Sequence, residues 1–144
     1  MGSSFGNFFG AEWTNETTLL LNDGQSIATF DVKTKTGKIL KKTVENSANH
    51  SYHAASNQLA YTIDNNLYVD GRAVTKNADK NIVSGQSIAR NEFGISGGIF
   101  WSSKGSILAF YQKDETDVHN YPLLDVNTTP ASLVSIKYPM AGQK

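Results

Sequence analysis

Apolar residues along this chain alternate with polar ones over short stretches, and polar turns separate these stretches. Residues 13–21, 53–61 and 101–110 each begin with a large ring, reverse through a short polar turn and continue into a Leu-centred apolar strand. The three rings follow one another at intervals of about 40 and about 48 residues, the range for one blade of a β-propeller. The pattern therefore predicts repeated antiparallel hairpins.

Further strands extend each hairpin into a larger unit. These predicted strands occupy 27–32, 39–42, 67–69, 72–75, 120–126 and 133–138. No segment has sustained helical spacing, and the 12 glycines punctuate the chain throughout. The sequence predicts an all-β fold of about three antiparallel four-stranded blades. The predicted blade-like units are about 11–45, 50–76 and 93–139.

Two features of the connections stand out. Asp70-Gly71 is a strong hairpin-turn signal, and Gly105 lies where a turn commonly needs a positive φ. The connection 77–96, between the second and third units, is longer than a link between blades requires. Long connections at the rim of a rigid sheet often carry binding groups.

Glu92 lies in that long connection, directly before Phe93 and Gly94. A carboxylate facing a cavity could hold a substrate ammonium group through charge-assisted hydrogen bonds. The alternative is a solvated loop glutamate or a partner for Arg90. From the residues alone, this alternative is the favoured interpretation.

Composition excludes several classes of function. The 144 residues fit one domain, and no apolar run approaches the ~20 residues of a membrane-spanning helix. The formal net charge of +0 disfavours nucleic-acid binding, which normally requires a basic excess. The absence of cysteine removes disulfides, thiolate zinc sites and cysteine nucleophiles. Residues 1–4 show neither the basic nor the apolar region of a signal peptide.

Two short motifs imitate catalytic ones. Residues 24–28 and 85–89 both read Gly-Gln-Ser-Ile-Ala, which is similar to the nucleophile elbow of α/β-hydrolases. That elbow needs a strand before the serine and a helix after it. Ser26 instead opens a predicted strand, and no helical pattern follows Ser87. Both serines are interpreted as turn and strand-start residues.

No metal site or cofactor is predicted. His50 and His53 would point to opposite faces of a strand, and no histidine or calcium-loop motif accompanies them or His119. The large aromatic residues could stack on carbohydrate, but packing between blades is the favoured interpretation. These residues are Trp13, Phe100, Trp101, Phe110, Tyr111, Tyr121 and Tyr138.

Several sequence blocks together point to a known family. Residues 57–69 contain "LAY" and "NNLYV", residues 91–113 contain "EFGI", "FW" and "LAFY", and "DE-x-x-V" follows before "YPMAG" near residue 140. In this order the blocks resemble the N-terminal β-propeller of the dipeptidyl peptidase IV family, in the prolyl oligopeptidase clan. The resemblance covers about 17–142, and the spelling is most similar to Bacteroides-type bacterial members.

The resemblance implies an exopeptidase that releases N-terminal dipeptides with Pro or Ala in second position. In the family an eight-bladed propeller caps an α/β-hydrolase domain that carries the catalytic Ser, Asp and His. That domain has no counterpart here, so residues 1–144 are expected to be a partial propeller, inactive alone. The C-terminal hydrolase domain of the parent chain is its implied partner. Family habit implies a periplasmic or cell-surface location.

The resemblance also assigns site residues. The family's propeller uses paired glutamates to bind the free α-amino group of the peptide substrate. Glu92 matches one of these positions, and Asn91 occupies what is often a second acidic position, so both are expected to bind substrate. An arginine on an extended arm of the family has no match in the tight turn 21–26.

Other functions remain as alternatives. A non-enzymatic propeller or β-sandwich module that binds a protein or glycan partner is the first, and a sensor-domain propeller of a regulatory protein is the weaker second. Three blades cannot close a ring, which leaves apolar faces and strand edges uncovered. We therefore expect the isolated chain to self-associate.

Overall fold

The computed structural model describes residues 10–89, 92–140 and 142, with Glu92 described by its backbone alone. The strands are β1 (Gly10–Trp13), β2 (Thr18–Asn22), β3 (Ser26–Asp31), β4 (Thr36–Lys42), β5 (Ala48–His53), β6 (Gln58–Ile63), β7 (Asn66–Val69), β8 (Arg72–Ala73), β9 (Ile82–Ser84), β10 (Ile99–Trp101), β11 (Leu108–Phe110), β12 (Gln112–Asp114), β13 (Asn120–Asp125) and β14 (Ser132–Lys137). The described part adds only a short 3₁₀ turn, Glu92–Gly94, and none of it forms a helix long and apolar enough to cross a membrane. The all-β prediction is confirmed.

Two four-stranded antiparallel sheets form the first part of the chain. Strands β1 to β4 and strands β5 to β8 each pair in sequence order, as a meander. The predicted turn between β7 and β8 is present, with φ values of 46° at Asp70 and 83° at Gly71. Two positive φ values in succession match the right-handed twist of the flanking strands. Both sheets thus have four antiparallel strands that pair in sequence order, as expected for the predicted blades.

The third unit is divided into three two-stranded ladders. Its pairs are β10 with β11, β12 with β9, and β13 with β14. The predicted outer strands therefore exist as the β13–β14 hairpin, in register from Asn120↔Lys137 to Asp125↔Ser132. Among the described residues this hairpin forms a sheet of its own, and a turn separates it from β12. In that turn the Val118 N–H donates to the Glu115 carbonyl at 3.1 Å.

The middle sheet supplies the core because both of its faces are covered. Side chains alternate along a strand, so Leu59 and Tyr61 of β6 face the first sheet, where they pack with Ile27. Ala60, between them, faces the other way and packs with Ile99 of the third unit. All five side chains are buried. The hydrophobic contacts thus order the units side by side, as in adjoining blades.

A polar joint also ties the middle sheet to the third unit. The Trp101 indole N–H donates to the Ser51 carbonyl at 3.2 Å, and its ring lies 5.7 Å from the His53 ring, centroid to centroid. His53 Nδ1 lies 2.8 Å from Ser56 Oγ. The buried Gly105 packs against both side chains and has the predicted positive φ, 68°.

Aromatic packing agrees with the prediction only in part. Trp101 and Phe110 pack against the core cluster of the middle sheet. Trp13, by contrast, is 58% exposed, and Phe100 and Tyr121 are also classed among the exposed side chains. Trp13 belongs to β1 at the edge of the first sheet, and Tyr121 to the β13–β14 hairpin, which pairs with no other strand among the described residues.

A loop that interrupts one strand as the candidate functional site

Segment 85–98 is a loop whose first and last residues lie at the same point of the third unit. Strand β9 before it pairs with β12, and strand β10 after it pairs with β11. Strands β11 and β12 are separated by Tyr111 alone. Strands β9 and β10 therefore lie along one continuous partner, and the loop 85–98 interrupts the line opposite Tyr111.

The backbone of Tyr111 holds both ends of this loop. The Gly85 N–H donates to the Tyr111 carbonyl at 2.8 Å, and the Tyr111 N–H donates to the Gly98 carbonyl at 2.9 Å. One residue thus closes the loop, an arrangement typical of compact Ω-loops whose ends lie close together. We call this pair of bonds the Tyr111 clamp.

Glycine is required at both ends of the loop. Gly85 has a φ of +76°, and a Cβ there would lie 3.0 Å from Thr62 Cγ2. A Cβ on Gly98 would lie 2.2 Å from the Gln86 carbonyl oxygen, a backbone atom that cannot rotate away. The close approach of the two limbs of the loop therefore depends on a residue without a side chain.

Polar side chains add ties on either side of the clamp. Inside the loop, the Ser87 hydroxyl donates to the Ile95 carbonyl at 2.7 Å. The Gln86 side-chain amide donates to Asn65 Oδ1 at 3.0 Å, which joins the loop to the turn before β7. Just before the loop, the fully buried Ser84 accepts hydrogen bonds at 3.0 Å from the side-chain amides of Asn77 and Gln112. These contacts fix the start of the loop to three different segments.

We call the turn Glu92–Gly94, in the middle of this loop, its tip. Glu92 opens the turn Glu92–Gly94, although its side chain is not described, and Asn91 and Arg90 lie outside the described residues. Phe93 follows with φ 55° and ψ 22°, in the left-handed region, and is 92% exposed. The turn that begins at Glu92 thus exposes its Phe93 side chain at the surface.

A polar cavity of about 590 Å³ adjoins the neck of the loop. Its lining residues are Asn49, Gln86, Ser87, Ser96, Lys113, Glu115, Ile136 and Lys137. Lys113 and Glu115 form an ion pair at 2.6 Å, and Lys137 Nζ donates to the Val118 carbonyl at 2.8 Å. The ion pair balances the charges of Lys113 and Glu115, whereas a neutral carbonyl leaves the positive charge of Lys137 in the lining of the cavity.

The structure shows what surrounds the serines of the two Gly-Gln-Ser motifs. Ser26 begins β3, and its hydroxyl lies 3.2 Å from Asp23 Oδ1. Hydrogen bonds from the backbone N–H groups of Gln25 and Ser26 lower the pKa of Asp23. Hydrogen bonds from backbone N–H groups to a nearby Asp carboxylate are typical of a tight turn. Ser87 is likewise bound to a backbone carbonyl, and no α-helix follows it in the described residues.

The histidines serve separate local contacts. His50 Nε2 lies 2.8 Å from Ser47 Oγ, and burial lowers the pKa of His50. His53 instead contacts Ser56 and the Trp101 ring. Across the described ranges no three His, Cys, Asp or Glu side chains gather where they could hold a metal ion.

Sequence patterns missed the two features that organise this loop. Nothing in the sequence singled out Tyr111 as the residue that closes it, because the clamp uses only its backbone. The pairs Gly85-Gln86 and Gly97-Gly98 were the available signal, since glycines at both ends of a long connection indicate a close approach. The second missed feature is the strand β9, which lies within the predicted long connection 77–96.

Comparison with known proteins places these observations in a family. A family model described as the dipeptidyl peptidase IV N-terminal region matches residues 24–144. The structure is similar to that of a Bacteroides ovatus protein provisionally assigned as dipeptidyl aminopeptidase IV, with a TM-score of 0.69 and 42% identity over 91% of this chain and 18% of that one. Porphyromonas gingivalis dipeptidyl peptidase 4 shares the fold, with a TM-score of 0.61 and 22% identity over 95% of this chain and 20% of that one.

The chain thus spans about a fifth of the length of these two proteins. The match confirms the predicted resemblance and, with the antiparallel sheets, the β-propeller class. By its family match and its identity to the Bacteroides ovatus protein, this chain belongs to the dipeptidyl peptidase IV N-terminal-region family.

Proposed function

We propose that this chain is part of the propeller of a serine exopeptidase that releases Xaa-Pro or Xaa-Ala dipeptides from peptide N-termini. The observation that carries the proposal is the family match over 24–144, supported by 42% identity to the Bacteroides ovatus protein. The catalytic Ser, Asp and His belong to an α/β-hydrolase domain elsewhere in the parent polypeptide. The propeller contributes substrate selection by gating the site, and the chain alone does not hydrolyse peptides.

Glu92 binds the α-ammonium group of the substrate in this proposal, and the Asn91 side chain provides a second contact. An ionised carboxylate and an ammonium group form charge-assisted hydrogen bonds, which are roughly twice as strong as neutral ones. Fixing the amino end leaves room for two residues before the scissile bond. Glu92 therefore acts through orientation and takes no part in bond-making. The position of Glu92 in a turn within the loop that the Tyr111 clamp closes supports this role.

The proposal is tested in the full-length parent polypeptide with a chromogenic Xaa-Pro anilide. Loss of a hydrogen bond to a charged group costs about 1.5–3 kcal/mol, which corresponds to a decrease of roughly 10- to 100-fold in kcat/KM for Glu92→Gln. Glu45→Gln, at an exposed position between β4 and β5, is the matched control and retains activity. The isolated chain should release no product.

Two results would refute the proposal. Glu92→Gln with the activity of the parent would remove the assigned role of the carboxylate. Equal cleavage of a substrate with an acetylated N-terminus would show that no free amino group is needed. The same proposal locates the parent in the periplasm or at the cell surface, which cell fractionation with an antibody against this chain would test.

A further inference from the structure

Ser87 carries a motif that the proposed function leaves unused. It resembles a nucleophile in sequence, yet its hydroxyl is bound to the Ile95 carbonyl at 2.7 Å. Ser87 and Ile95 lie on opposite limbs of the loop 85–98, between the Tyr111 clamp and the tip. Their bond therefore joins the limbs closer to Glu92 than the clamp does.

The clamp alone leaves much of the loop unconstrained. It fixes Gly85 and Gly98, whereas the turn Glu92–Gly94 lies well inside the loop. Flexible loops have a conformational entropy that grows with their length, so a cross-tie shortens the free segment and narrows the positions open to the tip. Exposed Phe93 adds little packing of its own, since 92% of its surface is accessible. Among the described residues, a bond between the limbs is therefore the contact that can help to place the tip.

We propose that Ser87 is a positioning residue, whose hydrogen bond to Ile95 fixes the loop that presents Glu92 to the amino group of the substrate. This inference rests on the proposed function and assigns to it a residue that makes no contact with substrate. Gly98 contributes to the same positioning of the loop, because a side chain there would push the two limbs apart at the Gln86 carbonyl.

The test compares four forms of the full-length parent: unchanged, Ser87→Ala, Glu92→Gln, and the double variant. Ser87→Ala should lower kcat/KM for a free Xaa-Pro anilide about 5- to 10-fold, the effect of one lost hydrogen bond. If Ser87 acts through Glu92, the same substitution in the Glu92→Gln background should change kcat/KM less than 2-fold. Such non-additivity is expected when two residues share one interaction.

Three further measurements separate positioning from general damage. Ser87→Thr keeps the hydroxyl and should restore most of the activity. The rate of labelling by a small fluorophosphonate, which lacks an amino group, should stay unchanged in Ser87→Ala, because the hydrolase site is intact. Amide hydrogen exchange in 92–98 should become faster in Ser87→Ala and in Gly98→Ala. Ser103→Ala, at an exposed serine in the turn after β10, is the control for all of these.

The outcomes distinguish the two proposals. A silent Ser87→Ala beside a disabled Glu92→Gln would overturn the positioning role alone. Equal losses from Ser87→Ala in both backgrounds would also overturn it, since Ser87 would then act independently of Glu92. A silent Glu92→Gln would instead overturn the proposed amine-binding role, whatever Ser87→Ala does to hydrogen exchange.

Discussion

Gly105 offers a sharp test of how the middle sheet joins the third unit. A Cβ at this position would lie 2.4 Å from Ser56 Oγ and 2.5 Å from His53 Nδ1. Both distances are far below van der Waals contact, so Gly105→Ala must displace these side chains. The φ of 68° adds a cost of roughly 1–2 kcal/mol for any L-residue.

The contact part of the cost follows from the bonds that are disturbed. Moving Ser56 away breaks its hydrogen bond to His53, which contributes about 1 kcal/mol. Moving His53 disturbs its ring contact with Trp101, worth about 0.5–1.5 kcal/mol. Together with the backbone cost, we expect Gly105→Ala to lower the free energy of unfolding by about 3 kcal/mol.

Gly71→Ala is the matched control, because Gly71 has a φ of +83° and no atom within 4 Å of the added Cβ. It should lower the free energy of unfolding by roughly 1–2 kcal/mol, the backbone cost alone. Urea unfolding followed by tryptophan fluorescence at low protein concentration measures both. Equal losses for the two variants would refute the reasoning, since the contacts of Gly105 would then contribute nothing. Ser56→Ala combined with Gly105→Ala should recover part of the difference.

Two further predictions concern association and pH. The isolated chain should self-associate through the β13–β14 hairpin, where Leu124 and Leu133 pair and are 61% and 76% exposed. Leu133→Lys should therefore shift it towards the monomer in light scattering while Thr128→Lys does not, and a strictly monomeric unchanged chain would contradict this. Burial lowers the pKa of His50, so the unfolded chain takes up the proton more readily below the ordinary value of 6.5. The contribution of His50 to stability should then be complete above pH 6.5 and decrease as the pH falls below that value. His50→Gln should reduce this decrease in urea titrations between pH 5.0 and 7.5. An unchanged dependence of the free energy of unfolding on pH in the variant would exclude His50 as the source of the decrease.

Local patterns were sufficient to predict most of the fold. Alternation and turn chemistry are properties of neighbouring residues, so they identified the hairpins of the first two sheets and the turn at Asp70-Gly71. The strand β9 escaped because it is short and pairs with β12, a partner on the far side of the loop. Such pairing depends on long-range closure, which period-two alternation over three residues cannot reveal.

The candidate site itself stays a prediction, whereas the structure shows how the described part of its loop is built. Glu92 was recognised from its neighbours and from the family resemblance, and its role stays a prediction. Ser87 was interpreted as a turn or strand-start residue, and its bond to Ile95 joins residues that only the folded loop brings together. The aromatic residues show a similar limit, because a large apolar side chain such as Trp13 is expected in the core but is 58% exposed in the fold.

Because of the Tyr111 clamp, the register of the strands does not depend on the length of the loop 85–98. Since both ends of the excursion are bonded to one backbone unit, residues can be added or removed between them without sliding β9 or β10 along their partner. Relatives are therefore free to differ in this segment while keeping the same blade. For engineering, it is the natural place to graft a longer or shorter recognition segment onto an unaltered scaffold.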